Sequence, residues 1–352
     1  MALGPLMIDI AGLALDESDR EVLCHPLVGG VILFSRNYAD RAQLAALCAE
    51  LHALRTPPLL VAVDHEGGRV QRFRSGFTEL PPMARLGEAY ARAPRTALTM
   101  ATELGWLMAA ELRAVGVDFS FAPVLDLQTA TSRVINDRAF HAEPEAVGRL
   151  GQAFMRGMHE AGMAAVGKHF PGHGSVNADS HHELPIDRRP LSRVRHKDML
   201  PFRLLCAAGI EGIMPAHILF PQVDNLPVGY STRWLAGVLR GELEFQGAIF
   251  SDDLSMSGAA IGAGHVERAR RALAAGCDMC LLCDDRPAAV RVLHELELTP
   301  EPVSVVRLMR MHGRPALGER ALAASPRHAM AVRAVAQLGE DPSLELGDDA
   351  PA

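Results

Sequence analysis

The chain has 352 residues, 49% of them hydrophobic and 22% charged, and a formal net charge of -7. That length and apolar content suit a large globular unit with a sizeable core, and the acidic balance argues against a nucleic-acid or anionic-membrane partner. No apolar stretch approaches the roughly 18 residues of a membrane span.

The N-terminus, MALGPLMIDIAGLALDESD, has no basic leader and carries Asp9 inside its apolar run, so it reads as a first strand and the expected location is cytoplasmic. From there eight short apolar runs recur: 6–12, 30–36, 59–68, 118–126, 163–170, 209–218, 247–254 and 277–285. Amphipathic stretches such as AQLAALCAELHAL, ATELGWLMAAELRAVG and PEAVGRLGQAFMRGMHEAG separate them. Strand–helix alternation calls for a parallel sheet, and eight units point to a closed (β/α)₈ TIM barrel of the α/β class. Gly116, Gly162 and Gly209 stand where helices close in a left-handed cap before the next strand. The segments 69–96 and 127–141 read as long loops over the barrel mouth. The barrel is assigned to residues 1–320, and 321–352 to a C-terminal helix (roughly 324–338) with an acidic tail.

Most runs end in polar residues, among them Asp64-His65-Glu66, Asp126, Lys168-His169, His217, Asp252-Asp253 and Asp284-Asp285. In a barrel those ends converge at the C-terminal mouth, where such folds place their chemistry. The densest is KHFPGHGSVNADSH, Lys168 to His181, whose Gly and Pro residues force a loop. There Asp179 stands two residues before His181, close enough to orient the imidazole as a proton donor. Ser251-Asp252-Asp253 closes the seventh run. Strand parity sends one of the two carboxylates into the mouth and not the other, without saying which, and Asp253 also fits as a cap for the next helix. Asp64 and Arg72 bracket VDHEGGRVQR, and such a pair can clamp sugar hydroxyls. Arg138, in NDRAFH, has the same character. His65, Glu66, His182 and His217 are supporting candidates.

Cys277, Cys280 and Cys283 have the spacing of a metal ligand set, but in a strand residues three apart face opposite ways. They read as reduced core thiols.

KHFPGHG-x₄-DSH together with VDHEGGRVQR and FSDDLSM resembles family 3 glycoside hydrolases, in particular their single-domain β-N-acetylglucosaminidase branch. The likeness runs from about residue 6 to about residue 315. It implies a retaining β-N-acetylhexosaminidase of peptidoglycan recycling, hence of cell-wall turnover, shape and division. The implied substrate is the disaccharide of N-acetylglucosamine and 1,6-anhydro-N-acetylmuramic acid, with or without peptide. By motif, Asp252 is the nucleophile, His181 the acid/base and Asp179 its orienting partner. Asp64, Arg72, Arg138, Lys168 and His169 bind the sugar. The resemblance implies no metal and no cofactor, and the expected enzyme is a monomer that engages neither nucleic acid nor membrane. Retaining glycosidases usually work with two carboxyl groups. A neutral imidazole base would not repel phosphate, so a phosphorylase is one alternative and a broader β-glycosidase another. A metal-dependent barrel hydrolase using His169, His173, His181 and Asp252 is the alternative from a different class.

Overall fold

Each of the eight apolar runs folds as a strand in the computed structural model, which describes residues 2–130, 132–176, 184–260, 262–299 and 301–339. The strands are β1 (Leu6–Asp9), β2 (Val28–Leu33), β3 (Leu60–Val63), β4 (Phe119–Ser120), β5 (Ala164–Phe170), β6 (Gly212–Pro215), β7 (Ala248–Ile249) and β8 (Cys280–Leu282). All pair in parallel with their neighbours, β8 lying against β1 and the order running on to β7. The ring closes where Phe250 bridges Met279. There the Ser251 N–H donates to the Met279 carbonyl at 2.8 Å and the Leu254 N–H to Leu281 at 2.9 Å. A closed ring of eight parallel strands is the expected (β/α)₈ barrel. Its interior is packed. Phe119 and Phe250 come from opposite sides of the ring, yet their rings lie 5.4 Å apart with Phe121 against both, which is possible only inside the barrel.

The amphipathic stretches fold as the outer helices Arg41–Ala53, Pro94–Ala114 and Pro144–Glu160, the last two with proline in the first turn, where its missing N–H costs nothing. Gly116, Gly162 and Gly209 adopt φ values of 94°, 81° and 85°, the left-handed turns that return the chain to β4, β5 and the start of β6. Helix Pro326–Gly339 packs on Pro94–Ala114, tied there by Arg327 to Glu103 at 2.9 Å. No helix among the described residues is long and apolar enough to cross a membrane.

The segment 69–96 departs from the expected loop. It opens on a two-stranded hairpin, His65–Gly67 against Val70–Gln71, and continues into helix Ala84–Arg92. The hairpin reverses on Gly67 and Gly68, at φ 106° and 56°. The Gln71 amide secures the turns between hairpin and helix, donating to the carbonyls of Phe73 and Thr78 and accepting from Leu80 N–H at 2.9 Å. A single side chain thus organises a stretch that looks irregular in the sequence. Cys277, Cys280 and Cys283 are all buried free thiols, and burial pushes their acidities far from thiolate formation.

Candidate active site

At the C-terminal end of β5 the ladder to β6 slips. Lys168 pairs with Met214 and Phe170 with Pro215, so one extra residue sits on β5. Such a bulge re-aims side chains. It lets both Lys168 and His169 line the same cavity, which strict alternation would forbid. The cavity holds about 480 Å³ at the mouth of the barrel, within the range that takes a small ligand. Ile32, Phe34, Met214 and Leu281 give it an apolar lining.

On one side stands a charge network. Lys168 Nζ donates to Asp64 Oδ1 and lies against Glu66 Oε1, both at 2.6 Å. Arg138 grips Glu66 in a two-point fork, Nε to Oε2 and Nη2 to Oε1, each at 2.8 Å. Arg72 approaches Asp64 at 3.6 Å, looser than a direct hydrogen bond. Burial opposes ionisation of Glu66, but Arg138 and Lys168 outweigh it and hold the carboxyl well below its usual range. Burial likewise opposes the charge on Lys168, and Asp64 and Glu66 outweigh that. The result is an array of fixed, oppositely charged groups, with Asp64, Arg72, Lys168 and Arg138 all on the cavity wall. Vicinal sugar hydroxyls each donate and accept, so they suit such an array.

The neighbouring imidazole is fixed by a carboxylate that was only one strand end among many in the sequence. Asp126, fully buried, accepts from His169 Nδ1 at 2.6 Å and from the His173 N–H at 2.6 Å. Burial disfavours its charge, yet His169 and His173 together hold its pKa below the ordinary carboxyl value. With Nδ1 committed to Asp126, His169 has its Nε2 edge for the cavity it lines. Glu66 and Asp126 are thus the organising carboxylates that the motif reading passed over. Their signal was present, since both close strand runs.

The opposite wall carries Asp252 and Asp253. Both residues line the cavity, and the Asp253 carboxyl is turned toward the end of β8. The strand has ended by then, and the chain turns: Asp253 N–H donates to Asp252 Oδ1 at 2.9 Å. Asp253 does not cap a helix. Its Oδ1 accepts from Ser255 N–H at 3.0 Å and from Cys283 N–H at 3.1 Å, so it fastens a turn to β8, and the next α-helix starts only at His265. His217, two residues beyond β6, lies under this turn and its Nε2 bonds the Asp253 carbonyl at 3.0 Å. His65 is buried against Phe73 and Phe77, away from the cavity lining. Asp179, His181 and His182 lie outside the described residues. Among the described residues no group of three or more His, Cys, Asp or Glu is placed to hold a metal ion.

A barrel mouth that sets hydroxyl-binding charges on one wall and an acidic pair on the other has the build of a carbohydrate-cleaving enzyme. The sequence comparisons agree. Residues 6–311 match the model of the glycosyl hydrolase family 3 N-terminal domain. The chain is 57% identical to a β-hexosaminidase of Thiobacillus denitrificans, over 99% of its own length and 98% of that protein's. It is 57% identical to one of Nitrosospira multiformis, over 90% of each chain. NagZ from Neisseria gonorrhoeae, solved in complex with N-trifluoroacetyl-D-glucosamine, superposes with a TM-score of 0.91 at 43% identity, covering 97% of this chain and 99% of that one. The chain belongs to glycoside hydrolase family 3 and is a glycoside hydrolase of the β-hexosaminidase type.

Proposed function

We propose that this enzyme is a retaining β-N-acetylglucosaminidase that frees N-acetylglucosamine from its β-linked disaccharide with 1,6-anhydro-N-acetylmuramic acid, with or without attached peptide. It would act as a monomer in the cytoplasm, in cell-wall recycling, without metal or cofactor. The observation that carries this reading is the placement of Asp252 in one cavity with the Asp64–Lys168–Glu66–Arg138 network. The likeness to an enzyme holding an N-acylated glucosamine supports the choice of sugar.

In this mechanism the network and His169 hold the hydroxyls of the non-reducing sugar. The Asp252 carboxylate attacks the anomeric carbon while His181, oriented by Asp179, gives its proton to the departing glycosidic oxygen. The product of that step is a glycosyl ester on Asp252. Neutral His181 then takes a proton from water, whose oxygen attacks the same carbon and releases Asp252. Two inversions leave the β configuration retained.

The test is nitrophenol release from the β-N-acetylglucosaminide and from the β-glucoside, by wild type and by Asp252→Ala. Preference for the acetamido sugar, lost with the substitution, is the expected result. Equal rates on both sugars refute the specificity. Activity that survives Asp252→Ala refutes the nucleophile.

A further inference from the structure

The proposed mechanism gives no task to Asp253, an acidic group of the cavity wall. Asp253 lines the same cavity as Asp252 and is the next residue in the chain. Its carboxyl is turned toward the end of β8 and takes the Cys283 and Ser255 N–H groups on one oxygen. Its carbonyl is held by His217, just beyond β6, and its own N–H donates to the Asp252 carboxylate. Its N–H thus touches Asp252, while its carbonyl and one carboxyl oxygen fix the turn that carries it. An asparagine would meet the same two N–H donors with its amide oxygen, so the hydrogen bonds alone do not call for an acid.

We propose that Asp253 is a positioning residue for Asp252 that also acts on it through charge: ionised Asp253 beside ionised Asp252 raises the energy of the resting pair, and that repulsion is relieved as Asp252 becomes an ester. This rests on the reading of Asp252 as nucleophile. The sign follows from the chemistry. In the first step Asp252 loses its negative charge while positive charge grows at the anomeric carbon, and a second carboxylate at the cavity wall favours both changes.

Two observations support a proton that comes and goes on Asp253 near neutral pH. Burial drives its pKa up to about 7, with the Asp252 charge adding to the rise and the Ser255 and Cys283 N–H groups opposing it. Asp253 also lines a second, neighbouring cavity of about 430 Å³, which offers a route for proton exchange. The other groups around it are accounted for. His217 is buried and held toward its neutral form. Arg268 spends its guanidinium on the carbonyls of Leu254 and Ala263. His265, Asp284 and Asp285 line the second cavity with Asp253, and burial also shifts His265 toward neutral. The Cys283 thiol is held far from ionisation by burial.

The experiment is the pH profile of kcat/KM on a dinitrophenyl β-N-acetylglucosaminide, whose leaving group needs no acid, for wild type and Asp253→Asn. Wild type should gain about tenfold as pH rises through 7, an effect of ~1.4 kcal/mol. Asp253→Asn should keep the low-pH rate and lose the rise. A variant that tracks wild type in parallel, or is lowered equally at every pH, overturns the charge role. Should Asp253→Asn not fold, carboxyl ¹³C NMR of wild type decides. One aspartate must titrate near neutrality, and its titration must move to lower pH when Asp252 is trapped as a glycosyl ester by a fluorosugar. No such carboxyl, or one unmoved by trapping, overturns the proposal. Asp252→Ala assayed alongside separates this failure from failure of the nucleophile assignment.

Discussion

Replacing Glu66 by Gln tests whether the network at the mouth is organised by that one carboxylate. Its two oxygens meet three cationic nitrogens at 2.6–2.8 Å, two from Arg138 and one from Lys168. Glu66 and Lys168 side chains are 2% and 3% exposed, so solvent does little to screen the change. In the variant an amide NH₂ faces cationic donors. Lys168 keeps Asp64 at 2.6 Å, whereas Arg138 loses its carboxylate fork and retains, besides, the Val134 carbonyl at 3.2 Å. Breaking a buried pair from one side costs about 3–5 kcal/mol, and the surviving Lys168–Asp64 bond points to the lower end of that range. Urea unfolding at pH 7 followed by circular dichroism measures the loss. Half-buried Glu50, paired with Arg20, gives the control, since Glu50→Gln should cost less than about 1 kcal/mol. The linkage runs with the depressed pKa of Glu66. Its contribution is present above its ordinary value of 4.5 and is lost as pH falls from there toward the lower native value. The gap between wild type and Glu66→Gln should therefore persist from pH 7 to about 5 and narrow only below that. A stability cost under about 1 kcal/mol at pH 7 would refute the view that Glu66 holds the network together.

Asp126→Asn should lower kcat/KM tenfold or more, about 1.4 kcal/mol of transition-state stabilisation, because an amide cannot serve the His169 ring and two main-chain N–H groups together. Unchanged kinetics would show that His169 needs no carboxylate to hold its pose. Far from the mouth, Gly105→Ala should destabilise by about 1–3 kcal/mol without changing KM, since its Cβ would stand 2.1 Å from the Phe154 carbonyl between helices Pro94–Ala114 and Pro144–Glu160. Gly237→Ala, in the helical segment Arg233–Glu242 with nothing within 4 Å of the new carbon, should stabilise by up to about 1 kcal/mol. Thermal melts of the pair check both signs.

The barrel could be read from the sequence because strands buried on both faces appear as continuous apolar runs, and the return from helix to strand needs a left-handed residue that glycine supplies. What eluded the reading depends on contacts between distant residues or on departures from regular strand geometry. Alternation separates Lys168 from His169 and Asp252 from Asp253, yet all four line one cavity, the first pair through a bulge and the second because the strand has already turned. Glu66 finds Arg138 across 72 residues, and Asp126 finds His169 across 43. No local spacing rule links such partners. A rule of charge compensation does. A cation drawn into a barrel mouth must meet a carboxylate there, since a buried charge left alone is too costly. Lys168 and Arg138 therefore called for acidic partners among the other strand ends, where Asp64, Glu66 and Asp126 stood as the available groups. Asking which carboxylate neutralises each candidate cation would have moved Glu66 from a supporting role to the centre of the site. Asp253 shows the complement of that rule. Among the described residues its carboxyl is held by N–H groups and by no cation. Burial therefore drives its pKa up to about 7, whereas Arg138 and Lys168 hold that of Glu66 low.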